Sequence, residues 1–295
     1  MTINKKLFGT ICAIGAAVCY GTNPLGALKL YEQGMSTSNV LVMRFGLAWL
    51  IIAVVMLMRR ERLRITWREF VALTGLGLLF VASSLTLYLS FHRMAAGVAS
   101  TILFVYPVMT ATIMVLFFHE KPTWSTAIAL LLSFAGVLLL YWSDHGQALD
   151  PVGVLLVLLS ALTYALYIIL MNRSRLQMSA FKINFYVLIY CTLGNLAYGL
   201  LAGETIRLPQ GAVSWFYTAW LAIVPAILAL VMMVYAAKYI GSTPTAIMGA
   251  LEPLTAVLIG IFIFGEPFTA NLAIGIILIL SAVIIIAARK SATTQ

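Results

Sequence analysis

The chain has 295 residues, of which 63% are hydrophobic and 9% charged, with a mean hydropathy of +1.05. A soluble domain carries about 25% charged residues, so this composition excludes a water-exposed globular fold and predicts an all-α integral membrane protein with short loops. The formal charge of +9 fits cationic loops beside a membrane and calls for no nucleic-acid partner.

A spanning helix needs about 20 mostly apolar residues. Continuous apolar runs predict ten of them, at about 7–29, 37–58, 68–91, 96–118, 123–142, 151–172, 181–202, 212–237, 243–264 and 270–288. The runs do not alternate with period two, which favours helices over a barrel. Lys5-Lys6 before an apolar stretch resembles a signal peptide, but the stretch reaches Leu28 without a cleavage site and predicts an uncleaved first helix.

In that first span Gly9, Ala13, Ala17 and Gly21 form a small-residue ridge suited to close helix packing. Ala16, Cys19, Tyr20 and Asn23 share another face. Pro24 predicts a break, because it disfavours helical geometry at Asn23. The second span carries Arg44, a guanidinium suited to a substrate carboxylate or to snorkelling. In the third, Ser83, Thr86 and Ser90 make a polar stripe, with Tyr88 on a different face.

The fourth span holds Tyr106-Pro107 and leads to His119-Glu120-Lys121-Pro122. In the sixth, Ser160, Thr163, Tyr164 and Tyr167 repeat the face of the first span at an offset of 144 residues. Pro225 and Pro244 are candidate kinks in the eighth and ninth spans. The ninth carries Glu252-Pro253 and leads to Gly265-Glu266-Pro267, so Pro107 and Glu120 recur as Pro253 and Glu266 at one offset of 146. Trp67, Trp124, Trp142 and Trp215 sit near span ends, as interfacial anchors do.

Loop charge orients these spans. Fourteen cations (Lys5, Lys6, Arg59, Arg60, Arg62, Arg64, Arg68, Lys121, Arg173, Arg175, Lys182, Lys238, Arg289 and Lys290) fall at one set of ends, and Lys29, Arg93 and Arg207 at the other. The positive-inside bias then predicts cytoplasmic termini. Five crossings per half put Glu120 at the cytoplasmic face and Glu266 at the outer face. The repeat is therefore expected to be inverted, with halves at 1–146 and 147–295, as in transporters that bind solute between antiparallel halves.

The segments FHRMAAGVASTILFVYPVMTATIMVLFFHEKPTWSTAIALLLSFAGVLLL (91–140) and YIGSTPTAIMGALEPLTAVLIGIFIFGEPFTANLAIGIILILSAVIII (239–286) resemble the ten-helix branch of the drug/metabolite transporter superfamily, with its two EamA repeats. The resemblance implies export of small metabolites, amino acids or cationic drugs across a bacterial inner membrane. It marks the scaffold and leaves the substrate open.

The candidate substrate site comprises Tyr20, Asn23, Arg44, Ser83, Thr86, Ser90, Tyr106, Thr163, Tyr164, Tyr167 and Glu252. Arg44 and Glu252 are the ionisable groups well inside the spans, where charge is costly and functional or paired by default. The tyrosine-rich faces favour an aromatic or amphipathic solute, and Glu252 offers proton coupling or a counter-charge for a substrate ammonium. Interhelical hydrogen bonding is the alternative for each hydroxyl. The expected partners are thus a small-molecule substrate and membrane lipid.

Without a P-loop, direct ATP drive is not expected. Cys12, Cys19 and Cys191 lack metal-site or disulfide spacing, and neither a metal nor a cofactor is expected. An intramembrane enzyme would need convergent nucleophiles or metal ligands, and a channel rings of charge or carbonyls. Neither pattern is visible, which leaves a secondary transporter. A cysteine placed at 59–68 should resist an impermeant thiol reagent added from the periplasm; rapid labelling would reverse the predicted orientation.

Overall fold

The computed structural model describes residues 5–119, 124–141, 149–174, 176–240, 245, 248–249 and 251–292. Among the described residues thirteen α-helices fall on the predicted apolar runs. They are α1 (Lys5–Gly21), α2 (Asn23–Glu32), α3 (Thr37–Met58), α4 (Trp67–Ser90), α5 (Ala96–Leu103), α6 (Tyr106–Phe118), α7 (Trp124–Tyr141), α8 (Pro151–Arg173), α9 (Ala180–Leu201), α10 (Gly211–Ile223), α11 (Ala229–Ile240), α12 (Leu251–Phe264) and α13 (Ala270–Ala292). No strand occurs among the described residues.

Among the described residues seven stretches are long and apolar enough to cross a membrane: Lys5–Glu32, Thr37–Met58, Trp67–Ser90, Ala96–Phe118, Pro151–Met171, Ala180–Leu201 and Gly211–Ile240. Shorter apolar helices, Ala127–Leu140, Leu251–Phe264 and Ala270–Ile285, stand at the fifth, ninth and tenth predicted positions. The protein is a multi-pass membrane protein.

Helix ends follow local chemistry. Ser36, Asp150 and Ser179 accept hydrogen bonds from the first turns of α3, α8 and α9, and Thr66 with Glu69 closes a capping box on α4. Such caps satisfy amides that a helix leaves unpaired. The predicted break before Pro24 separates α1 from α2 at Thr22. Pro225 lies in a π-helical turn, Val224–Leu228, that joins α10 to α11. A break that the proline spacing alone did not announce divides α5 from α6 at Phe104-Val105, just before Tyr106-Pro107. Pro244, Glu120 and Trp142 lie outside the described residues.

Packing repeats when the first half of the chain is exchanged for the second. The third span on the sixth (α4 on α8) answers the eighth on the first (α11 on α1). The fourth on the sixth (α6 on α8) answers the ninth on the first (α12 on α1), while α3 on α9, α5 on α12 and α7 on α13 map onto themselves. The turns repeat too. His119 (φ 54°) and Gly265 (φ 67°), 146 residues apart, both adopt the left-handed conformation that ends α6 and follows α12. Loops holding cations meet at one end, where Ser179 donates to Glu61 and Lys182 donates to the Arg64 carbonyl. At the opposite end Ser36 donates to Glu204, and Asn39 bonds the backbone of Thr205 and Arg207.

The ridge on α1 is buried at Gly9, Ala13, Ala17 and Gly21. At Gly21 a Cβ would stand 2.5 Å from the Thr255 Cβ and 2.6 Å from the Glu252 carbonyl oxygen, so only hydrogen lets α1 approach α12 this closely. Gly21→Ala should cost about 1–3 kcal/mol, as overpacking does, and lower the melting temperature of detergent-purified protein. An unchanged melting temperature would show that the two helices yield freely.

Candidate functional site

The helix breaks and the tight α1–α12 contact bring polar groups from distant parts of the chain together. Tyr20 ends α1, Tyr106 opens α6, Tyr164 faces them from α8, and Glu252 lies in the first turn of α12. Tyr20, Tyr106 and Tyr164 are all within electrostatic range of the Glu252 carboxylate, and Tyr20 is also within range of the Arg44 guanidinium. These tyrosines and Glu252 are surrounded by protein, yet each keeps part of its surface open. A carboxylate at a helix start is also favoured by the helix dipole.

The aromatic wall is continuous. The Tyr106 and Tyr164 rings meet edge-on at 4.7 Å, Tyr164 and Tyr167 stack at 5.8 Å, and Phe80 touches both Tyr164 and Tyr167. Flat faces and edges of this kind suit an aromatic or apolar ligand body.

Arg44 is only 7% exposed. Its Nη1 donates to the Tyr88 hydroxyl, its guanidinium lies over the Tyr88 ring at 5.5 Å, and its Nε has no partner among the described residues. Tyr88 donates in turn to Asn23 Oδ1 at 3.5 Å, and Asn23 Nδ2 donates to the Tyr20 carbonyl at 2.8 Å. A polar chain therefore runs from the α1–α2 break to Arg44. The ion pairs among the described residues are Lys29–Glu32 and Arg93–Asp150, so Arg44 and Glu252 do not neutralise each other. No hydrogen bond from the described residues reaches the Glu252 carboxylate. Arg44, buried, and Glu252, half-buried, thus each stand without a counter-ion among the described residues, and an ionised group so placed is expensive unless something else balances it.

The remaining predicted residues bond elsewhere. Ser83 and Ser160 form a reciprocal clasp between α4 and α8, with Ser160 Oγ donating to the Ser83 carbonyl at 2.7 Å and Ser83 Oγ to the Ser160 carbonyl at 3.1 Å. Thr86, Ser90 and Thr163 donate to carbonyls of their own helices. Ser83 and Ser160 thus join two helices, whereas the other three hydroxyls bond within their own. Tyr88 and Phe80 are the site residues that sequence reasoning passed over. Tyr88 stood off the polar stripe, and the available signal was its hydroxyl in the span next to Arg44.

Two groups outside the spans have shifted acidities. Burial pushes the His92 imidazole down, opposed by Glu204, while its Nε2 lies 3.0 Å from Thr37 Oγ1 and its ring stacks on Tyr31. Burial pushes the Glu266 carboxyl up, opposed by the Gly97 and Ala96 amides. A separate apolar cavity of about 730 Å³ lies between α6, α7 and α8, lined among others by Val105, Met109, Phe134 and Leu158.

The sequence matches the EamA-like transporter family over residues 7–142 and again over 151–288. An Archaeoglobus fulgidus protein named "Uncharacterized transporter" is 31% identical over 189 residues, which are 64% of this chain and 66% of the relative, just under two thirds of its length. The Bacillus subtilis "Uncharacterized transporter YvbV" is 26% identical over 93% of this chain and 90% of its own. A solved structure titled only as the crystal structure of a protein superposes with a TM-score of 0.69 at 17% identity, covering 97% of this chain and 99% of that one, and supports the fold alone. The chain belongs to the EamA-like transporter family.

Tyr88→Phe would leave the Arg44 guanidinium without its hydroxyl acceptor. Stranding a buried charged donor costs about 1–3 kcal/mol, so the variant should melt earlier than wild type, and Arg44→Met on the same background should recover part of the loss. Equal melting temperatures for all three proteins would contradict this wiring.

Proposed function

We propose that this EamA-like transporter is a secondary exporter of amino acids, aromatic ones favoured, in a bacterial inner membrane. Ten spans in two inverted halves, 1–146 and 147–295, rock about a midplane chamber and open it alternately to either side. The exchange-symmetric packing, the two family matches and the paired left-handed turns support this division.

One observation carries the substrate reading: Arg44 and Glu252 both act on Tyr20 yet do not pair with each other. A zwitterion supplies what each lacks. Its carboxylate would meet the planar fork of Arg44, its ammonium would meet Glu252, and its side chain would lie on the Tyr106–Tyr164–Tyr167 wall. The fit is differential, since a solute with one charge leaves the other buried group unbalanced. Proton exchange at Glu252 or substrate counterflow would supply the drive.

An organic cation is the second reading. Glu252 keeps open surface, whereas Arg44 sits behind Tyr88 and is 7% exposed. A cation paired with Glu252 alone would leave Arg44 as a structural charge.

Counterflow of radiolabelled phenylalanine in proteoliposomes separates the readings. Glu252→Gln and Arg44→Gln should each reduce counterflow by about tenfold or more, corresponding to ~1.4 kcal/mol of binding, at normal protein yield. Loss in Glu252→Gln with full activity in Arg44→Gln would favour the cation, and full activity in both would discard the zwitterion site.

A further inference from the structure

Glu266 does something that neither the chamber nor the family assignment requires. Its Oε1 accepts from the Ala96 amide at 2.7 Å and its Oε2 from the Gly97 amide at 3.1 Å. The carboxylate thus caps the first turn of α5 from a position 170 residues away along the chain, where Ala95, the local cap residue, offers no side-chain bond. The helix dipole adds to the attraction of the two amides for negative charge.

The seat is built for this group. Gly265 turns the chain with φ 67°, and the Glu266 amide donates to the Gly260 carbonyl at 2.9 Å. A Cβ on Gly260 would collide with the Glu266 carboxylate, and one on Gly97 would stand 2.9 Å from Oε2. Two glycines, one from each half, leave the space that the carboxylate fills.

The position of the seat gives it a role. Span four is broken between α5 and α6. Its first piece, α5, packs on α12 of span nine, while its second piece, α6, packs on α7, α8 and α13. The two spans are therefore closed together on the Glu266 side of the break. Tyr106 stands at the break itself, so whatever holds α5 also sets one wall of the chamber.

We propose that Glu266 is the latch of the outer gate: its carboxylate, seated on the α5 amides between Gly97 and Gly260, holds spans four and nine together and keeps the chamber shut on that side. Opening requires the carboxylate to leave its seat, which frees α5 and moves Tyr106 away from Tyr164. The contact joins the two halves, so it must break and re-form in each transport cycle. Glu266 acts through α5 and is a positioning residue.

Cys19 provides a reporter that needs no substrate. It precedes Tyr20 on α1 and is partly open, whereas Cys12 and Cys191 are buried. In right-side-out vesicles holding the full chain with Cys12→Ala and Cys191→Ala, an impermeant maleimide added outside should label Cys19 slowly. Glu266→Gln, which replaces one acceptor oxygen by a donor, should speed labelling by about tenfold, equivalent to a tenfold shift in the gate equilibrium. Gly260→Ala should do the same by pushing the carboxylate out while leaving its charge intact. Wild-type labelling rates in both variants, at wild-type abundance in the membrane, would overturn the latch. Transport substrate plays no part in this readout, so its outcome is independent of the amino-acid reading.

Discussion

A guanidinium and a carboxylate buried among apolar helices would ordinarily find each other. Here they do not. Arg44 is held by Tyr88, and Tyr88 by Asn23 at the α1–α2 break, while Glu252 stands at the start of α12, with Tyr20 within electrostatic range of both. Keeping opposite charges apart inside a membrane forfeits attraction that low dielectric makes strong.

The scaffold is symmetric, and the chemistry placed on it is not. Packing between spans is reproduced when the halves are exchanged, and the turns at His119 and Gly265 share one backbone conformation. Yet Glu252 stands where the first half has Tyr106, and Arg44 where the second half has Leu188. In the proposed cycle such a duplicated frame would supply the two arrangements of similar energy that alternating access requires. In the same proposal the divergent side chains would give the chamber its polarity. The proposed latch follows the same logic, since its glycine seat is drawn from both halves.

Much of the frame was legible because membrane physics writes it in long apolar runs. The predicted runs and the observed helices agree to within a few residues for nine of the ten, among them 37–58 against Thr37–Met58 and 96–118 against Ala96–Phe118. The break at Pro24 and the distortion at Pro225 followed from backbone chemistry. The site was less legible. Tyr20, Tyr106, Tyr164 and Glu252 lie within reach of one another. Ser83, Thr86, Ser90 and Thr163 have the same polarity in sequence, but their hydroxyls bond carbonyls of the helices, which periodicity cannot foresee. Tyr88 escaped notice because its partner, Arg44, lies 44 residues away in sequence and only packing joins them.

The separation of charge is tested most directly by ligand-induced stabilisation of the purified protein. A ligand that binds only the folded state raises its melting temperature with concentration. Phenylalanine should do so, while phenethylamine and phenylpropionate, each missing one of its charges, should have little effect at the same concentration. Equal stabilisation by phenethylamine would contradict the account, because it would mean that Arg44 needs no anion from the solute.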